Sequence, residues 1–342
     1  MYSPIINYFT HTAKDPLPGP ALIIVDEFSM VNLELANALF DAIAANMKVI
    51  VVGDIKQLPC IGAGSVLRDM INCKYIPVTE LSYNHRQAEG SEIARSANLI
   101  AEGHMPLLAS DNTSTELEFI STVDAAAALD VICSIVKSKE IQGLSIYDWQ
   151  ILTAMRKGHC GIYSLNKTVR EIILGSDTKN GVGADNFKVG DKVMVTKNNY
   201  GLGVLNGDIG TVTAIDIPKS VIVVCFPDND LDHQIVTFSK SDINILMLAY
   251  ASTIHKAQGS EFDTVIMPVV SEQYIMLIRN LLYTGITRAK KRLIIVGDRL
   301  AIRRAVSNNI VPHRNSNLTA RIDAILDNLN SVDKRQLGSI SA

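Results

Sequence analysis

Two acidic strand ends carry the first chemical signal in this chain. Ala21-Leu22-Ile23-Ile24-Val25 is an apolar, β-branched run that stops at Asp26-Glu27, and Val49-Ile50-Val51-Val52 stops at Gly53-Asp54. A magnesium ion on nucleotide phosphates needs a rigidly held carboxylate, and an adjacent Glu can polarise an attacking water. Asp26 and Glu27 suit those two roles. Gln57, three residues beyond Asp54, offers both a donor and an acceptor, useful for sensing a terminal phosphate. Taken alone, each strand end is equally well a pair of solvated acids or a surface turn; two in succession weaken that plain reading.

These residues need elements to position them. Between the two strands, Asn32 sits at a cap position before Leu33, Leu35, Ala36, Leu39, Phe40 and Ile43, spaced for one apolar helical face. Strand, helix and strand in that order predict a parallel sheet with its acids at the carboxyl edge, where open α/β sheets bind ligands. Strands are predicted again at Trp149 to Thr153, Thr264 to Met267 and Leu293 to Val296, with helix at Asn280 to Thr284. That is a second α/β domain, its boundary with the first placed in the polar stretch Gly103 to Asn112. From Phe187 to Ile245 the texture shifts to short apolar runs, Lys192 to Val195, Gly210 to Val212 and Val221 to Cys225. Turn signals divide them at Asn206-Gly207-Asp208 and Pro227-Asp228-Asn229, which predicts a small inserted antiparallel β-barrel. Beyond about Pro312 the chain reads as a polar tail with one amphipathic helix around Ala320 to Leu329.

Composition sets limits. The 342 residues are 47% hydrophobic and 20% charged with a net charge of -3, so the chain can bury a core but does not advertise nucleic-acid binding in bulk. Binding DNA would fall to local clusters such as Lys188, Lys192 and Lys197, or Lys290, Lys291, Arg292, Arg303 and Arg304, and on charge alone each reads first as a solvated face. No apolar run approaches the ~20 residues that span a bilayer. The five cysteines have no close pairs, which argues against zinc or disulfides and fits a reducing cytoplasm.

Five ordered stretches resemble the motifs of superfamily 1 helicases of the RecD-like type. Val25-Asp26-Glu27-Phe28-Ser29-Met30 is similar to the second motif and Gly53-Asp54-Ile55-Lys56-Gln57-Leu58-Pro59 to the third. Asn84-His85-Arg86-Gln87 resembles the fourth, Tyr250 to Phe262 the fifth, and Tyr283-Thr284-Gly285-Ile286-Thr287-Arg288-Ala289 the sixth. Ile151 to Gly158, running on to Leu165-Asn166, resembles a stretch typical of the RecD-like branch. The resemblance implies two RecA-like motor domains, the first incomplete, with an inserted SH3-like β-barrel. On this reading the first motor domain occupies 1–106, the second 107–186 and 248–311, the barrel 187–247 and a tail 312–342.

For chemistry, the resemblance implies ATP and Mg2+ as cofactors, with Asp26 as metal ligand. Asp26, Glu27, Gln57, Arg86 and Arg288 would act on the nucleotide phosphates, while Gly259 and Glu261 contact the nucleotide. Ser252, Thr253, His255, Lys256 and Gln258 would meet the DNA backbone, with Tyr200 of the barrel beside it; Asn198 and Asn206 are further barrel candidates. The implied partners are single-stranded DNA and duplex junctions, with no membrane, and the implied activity is ATP-driven unwinding, 5′-to-3′, in a repair or recombination setting. The family also carries a Gly-rich loop ending in Gly-Lys-Thr or Gly-Lys-Ser before the second motif, whose backbone N–H groups cradle phosphates. No such sequence occurs here; Gly62-Ala63-Gly64-Ser65 lacks the lysine and follows the third motif. The expectation is therefore a truncated or split chain, inactive alone, with a missing N-terminal segment or partner subunit. The alternative is a non-catalytic remnant that binds single-stranded DNA or a protein. Asn7 to Thr12 falls where the family carries a strand-separating pin.

Overall fold

The computed structural model describes residues 2–3, 8–19, 22–81, 91–108, 116–176, 181–227, 234–310, 314 and 316–338. They form two compact units, Met1–Asn84 with Ile310–Ala342, and His85–Asn309.

The first unit opens on a short antiparallel pair, β1 (Tyr2–Ser3) and β2 (Tyr8–Phe9); Asn7, at the expected pin, lies outside the described residues. β3 (Leu22–Val25) and β4 (Lys48–Val51) pair in parallel in the register Val25↔Val51. Between them runs α1 (Leu33–Asp41), begun by Asn32, whose side chain accepts from Leu35 N–H at 2.9 Å. α2 (Val66–Ile71) follows. One face of the β3–β4 ribbon packs Val25 and Val51 against Phe28, Val66 and Leu67.

The second unit begins with α3 (Glu92–Glu102), which the sequence reading assigned to the first domain. Its apolar stripe, Ile93, Ala97 and Ile100, is buried within the second unit, and that burial decides where it belongs. Then come β5 (Leu117–Ser121), α4 (Ala125–Lys137), α5 (Lys139–Gln142), β6 (Trp149–Thr153) and α6 (Ile162–Leu174). The insert contributes β7 (Lys192–Val195), β8 (Ile209–Asp216), β9 (Val221–Phe226), β10 (Gln234–Phe238) and β11 (Leu246–Leu248), an antiparallel sheet in the order β10-β9-β8-β7-β11. The chain returns through β12 (Ala251–Thr253), β13 (Phe262–Val269), α7 (Arg279–Ile286), β14 (Ala289–Gly297) and α8 (Arg299–Ser307). β12-β6-β13-β14-β5 is a wholly parallel sheet. Such sheets are covered on both faces, and the β6 sequence WQILT is buried at every position.

The insert is fastened to this sheet by Lys192. Its ammonium is fully buried, donates to Trp149 O at 2.8 Å and to Gln150 Oε1 at 2.9 Å, and lies 5.3 Å from the Trp149 ring centre. Asp191 beside it pairs with Arg170 of α6 at 2.7 Å. The sequence reading took Lys192 for a surface cation; desolvated and hydrogen-bonded, it is a structural anchor.

The final helix, α9 (Leu318–Gly338), belongs to the first unit, where it packs on α2. What the sequence suggested as a loose tail is tied down there. Arg314 donates to Cys60 O at 2.9 Å and Gly64 O at 2.8 Å, Thr319 donates to Asp69 O, and Lys74 pairs with Asp327.

Candidate nucleotide and nucleic-acid sites

In the first unit the two acidic strand ends are neighbours because β3 and β4 are in parallel register. Val52 N–H donates to Val25 O and Phe28 N–H to Val52 O, both at 2.8 Å, so the two loops after the strands are laced together. Phe28, fully buried, pins the first loop from below. Glu27 between them adopts a left-handed conformation, φ 51° and ψ 36°. A non-glycine residue held there carries local strain of order 1–3 kcal/mol, a feature that clusters at functional sites. Gly53 allows the second loop its approach: a Cβ there would lie 2.8 Å from Ser29 N and from Leu67 Cδ2. Asp54 Oδ1 accepts from Lys56 N–H at 2.8 Å and rounds the turn that delivers Gln57, which is 9% exposed.

Asp26 is exposed, with Oδ1 accepting from Glu27 N–H at 2.7 Å. Among the described residues no three metal-ligating side chains converge. A nucleotide-bound Mg2+ takes one or two carboxylates and fills its octahedron with phosphate and water oxygens, so a single exposed carboxylate at this edge fits such an ion. Arg314, which sequence reasoning missed, holds the segment that follows Gln57, its guanidinium on both Cys60 O and Gly64 O. Nothing local in the sequence marks it, since its partners lie some 250 positions earlier. Arg86 lies outside the described residues.

In the second unit the expected residues separate onto opposite edges of one parallel sheet. Gly259 and Glu261 precede β13 and Arg288 precedes β14, so all three stand at the amino edge. Arg288 is 3% exposed; Nη1 donates to Ser260 O at 3.2 Å, Nε to Thr284 O at 3.2 Å, and its own carbonyl accepts from Phe262 N–H. The sixth-motif arginine is thus bound to the loop that carries Gly259 and Glu261. Glu261 pairs with Lys290 at 3.7 Å. Gly259 has φ 77°, with open space where a side chain would stand.

Thr253 ends β12 and His255 and Lys256 follow it, so all three stand at the carboxyl edge. Thr253 caps a short 3-10 turn, Ile254–Ala257, by accepting from Lys256 N–H. Ile254 and Ala257 point inward and leave His255 and Lys256 half-buried; Gln258 ends the turn. Burial pushes the His255 imidazole below its ordinary range, which keeps it uncharged near neutral pH. Lys256 is lowered as well, first by burial and then by the charge of Arg156. Ser252 differs from its neighbours. At 2% exposure its hydroxyl is buried, so the backbone-contact role that the resemblance implies for it has no surface to act from.

The insert meets this edge through a chain of polar contacts. Lys256 Nζ donates to Asn206 Oδ1 at 2.6 Å and to Thr196 O at 3.4 Å. Asn206 N–H donates to Asn198 Oδ1 at 2.8 Å, and Asn198 Nδ2 donates to the Tyr200 hydroxyl at 3.1 Å. Tyr200 itself is 48% exposed. Fifth-motif residues and barrel residues therefore form one continuous polar surface with an aromatic ring at its end, the combination that single-stranded nucleic acid rewards.

A two-domain RecA-like α/β motor with an SH3-like insert is the class that these elements define. Comparison with known proteins agrees. Residues 5–123 match an AAA domain, 165–226 the ATP-dependent RecD-like DNA helicase SH3 domain, and 248–296 the UvrD-like helicase C-terminal domain. The ATP-dependent RecD2 DNA helicase of Deinococcus radiodurans is 30% identical over 317 residues, covering 92% of this chain and 41% of the relative. The RecBCD enzyme subunit RecD of Mycolicibacterium smegmatis is 30% identical over 313 residues, covering 89% and 54%. A crystal structure of Pif1 helicase from Bacteroides with ADP-AlF3 and ssDNA shares the fold at 20% identity and a TM-score of 0.50, covering 95% of this chain and 81% of that one. The chain belongs to the RecD-like helicase family. It spans about half the length of the curated relatives it matches. No described helix is long and apolar enough to cross a membrane.

Proposed function

We propose that this chain acts in an ATP-dependent DNA helicase that moves 5′-to-3′ on single-stranded DNA and separates duplex. The observation that carries the reading is the two-edged sheet of the second unit. A run of only eight residues, Ile254 to Glu261, leads from the carboxyl edge with Lys256 to the amino edge with Arg288, Gly259 and Glu261. A nucleotide-dependent shift of Arg288 would pull on Ser260, and through this run on Lys256 and the insert bonded to it.

Residue roles follow the motif resemblance. Asp26 would hold Mg2+ on the nucleotide, Glu27 would orient the attacking water and Gln57 would register the terminal phosphate. Arg288, with Arg86 from the fourth motif, would neutralise charge that develops on the transferring phosphate. When bound, ATP would supply free energy through its hydrolysis and Mg2+ would offset charge on its phosphates. Thr253, His255, Lys256 and Gln258 would hold the DNA backbone, over a buried Ser252, and Tyr200 would stack on a base.

Because the sequence holds no Gly-Lys-Thr or Gly-Lys-Ser loop, we expect the chain by itself to bind single-stranded DNA without appreciable turnover. Purified chain is assayed for phosphate release with MgATP and oligo(dT), and for binding of labelled oligo(dT) by fluorescence anisotropy. Salt-sensitive binding that Lys256→Gln weakens about tenfold, with negligible phosphate release, is the expected result. Robust DNA-stimulated release by the chain alone would contradict the division of labour, and failure to bind any oligonucleotide would contradict the DNA face.

A further inference from the structure

β6 and β12 are adjacent parallel strands with Thr153 opposite Thr253. Three residues past Thr253 is Lys256; three residues past Thr153 is Arg156, followed by Lys157. Parallel register therefore delivers two loops, and three cations, to the same stretch of the sheet's carboxyl edge. Arg156 is near enough for its charge to disfavour protonation of Lys256, and among the described residues no carboxylate is paired with it.

The loop that carries Arg156 and Lys157 is built rather than slack. Ile162 N–H donates to Met155 O at 3.2 Å, Tyr163 N–H to Arg156 O at 3.2 Å, and Gly161 N–H to Gly158 O at 3.1 Å. His159 N–H donates to the Glu272 carboxylate at 3.2 Å, and Thr153 Oγ1 ties the strand end to Cys160 O. Gly161 is required by closeness, since a Cβ there would stand 2.4 Å from Lys157 O. These bonds hold the loop's backbone in place, while both cationic side chains are exposed. Among the described residues neither side chain has a hydrogen-bond or ion-pair partner. A fixed backbone spares the cost of ordering the loop when its unpaired cations grip an anion.

We propose that Arg156, with Lys157 beside it, forms a phosphate-binding site for the sugar–phosphate backbone of single-stranded DNA, continuing the strand held by Lys256 and the insert. This site rests on the DNA face of the proposed function and extends it by one loop. Arg156 contributes a planar two-pronged donor that matches a phosphodiester, and Lys157 a point charge. Thr253, Lys256, Asn206 and Tyr200 form the other side of the track.

The test uses the full chain and fluorescein-labelled oligo(dT), with affinity measured across a range of salt. Removing one cation that neutralises a phosphate of a single strand should lower the slope of log Kobs against log salt by about 0.7. Arg156→Gln is expected to weaken binding about tenfold at low salt and to reduce the slope by that amount. Arg156→Lys should restore the slope and much of the affinity. An unchanged urea midpoint in Arg156→Gln shows that the fold is intact and that the weaker binding comes from the missing charge. If wild-type chain binds and Arg156→Gln keeps both affinity and slope, this site is overturned and the wider DNA face stands. If wild-type chain binds no DNA, the wider reading fails and takes this site with it.

Discussion

The tetrapeptide Leu-Ile-Ile-Val occurs twice, as Leu22–Val25 in β3 and as Leu293–Val296 within β14. In the second unit all four side chains are buried to 1% exposure or less. In the first, Leu22 is 44% and Ile24 63% exposed, while Ile23 and Val25 are half-buried. Identical residues make identical strands, so the difference lies in what covers them. β14 is an interior strand of a five-stranded parallel sheet, between β13 and β5, with α3, α4 and α7 packed against it. β3 pairs with β4 alone among the described strands, and only one face of that ribbon has a core beneath it. Ile50 on β4, 49% exposed, shares the uncovered face with Ile24. Local sequence specifies a strand; burial is a property of the neighbours.

Substitution at matched positions sharpens this contrast. Ile295→Ala removes a fully buried side chain from the centre of the closed sheet and should cost about 2–5 kcal/mol, read as a fall in the urea midpoint of the second unit. Comparable costs at Ile295 and Ile24 would break the comparison, because the exposed position would then be packed in solution.

A second test of the closed unit is its pH dependence. Burial holds the Lys192 ammonium down at about 7, against an ordinary 10.5. Between those values the unfolded chain binds more protons than the folded one, so stability should rise with pH from about 7 to 10.5. Below about 7 both states are protonated and the burial penalty is constant. The slope approaches ~1.4 kcal/mol per pH unit for one group, and in Lys192→Met that part of it should vanish. Equal slopes in wild type and variant would mean that water reaches the ammonium. The smallest effect is expected at the open face: Ile24→Ala should cost less than about 1 kcal/mol, and Ile24→Thr should reduce self-association in light scattering.

The parts of the fold that sequence made legible are those written in residue type over a short span. Asp26-Glu27 and Gly53-Asp54 after apolar runs, and turn residues at Asn206-Gly207-Asp208, each need only their neighbours to be read. β5, by contrast, has the mixed sequence LEFIS of an edge strand and gave no clear period. Partnerships across the chain were not legible either. Asn206 looked like a turn former, yet its side chain receives Lys256 from 50 positions away. Lys192 looked solvated because charge is visible in sequence and burial is not. Ser252 looked like its neighbour Thr253, but alternation along β12 turns one hydroxyl inward and leaves the other at the edge. The amphipathic pattern around 320–329 announced a helix without announcing that Arg314 and Asp327 would fasten the segment to the first unit.

Hydrogen–deuterium exchange on the chain with and without saturating oligo(dT) tests most directly whether the carboxyl edge of the second sheet and the insert form one DNA-binding face. Slowed exchange is predicted together in residues 251–258, in 196–206 and in the 156–159 loop, with little change along 262–269. DNA bound at saturation with none of those three segments protected would contradict the account.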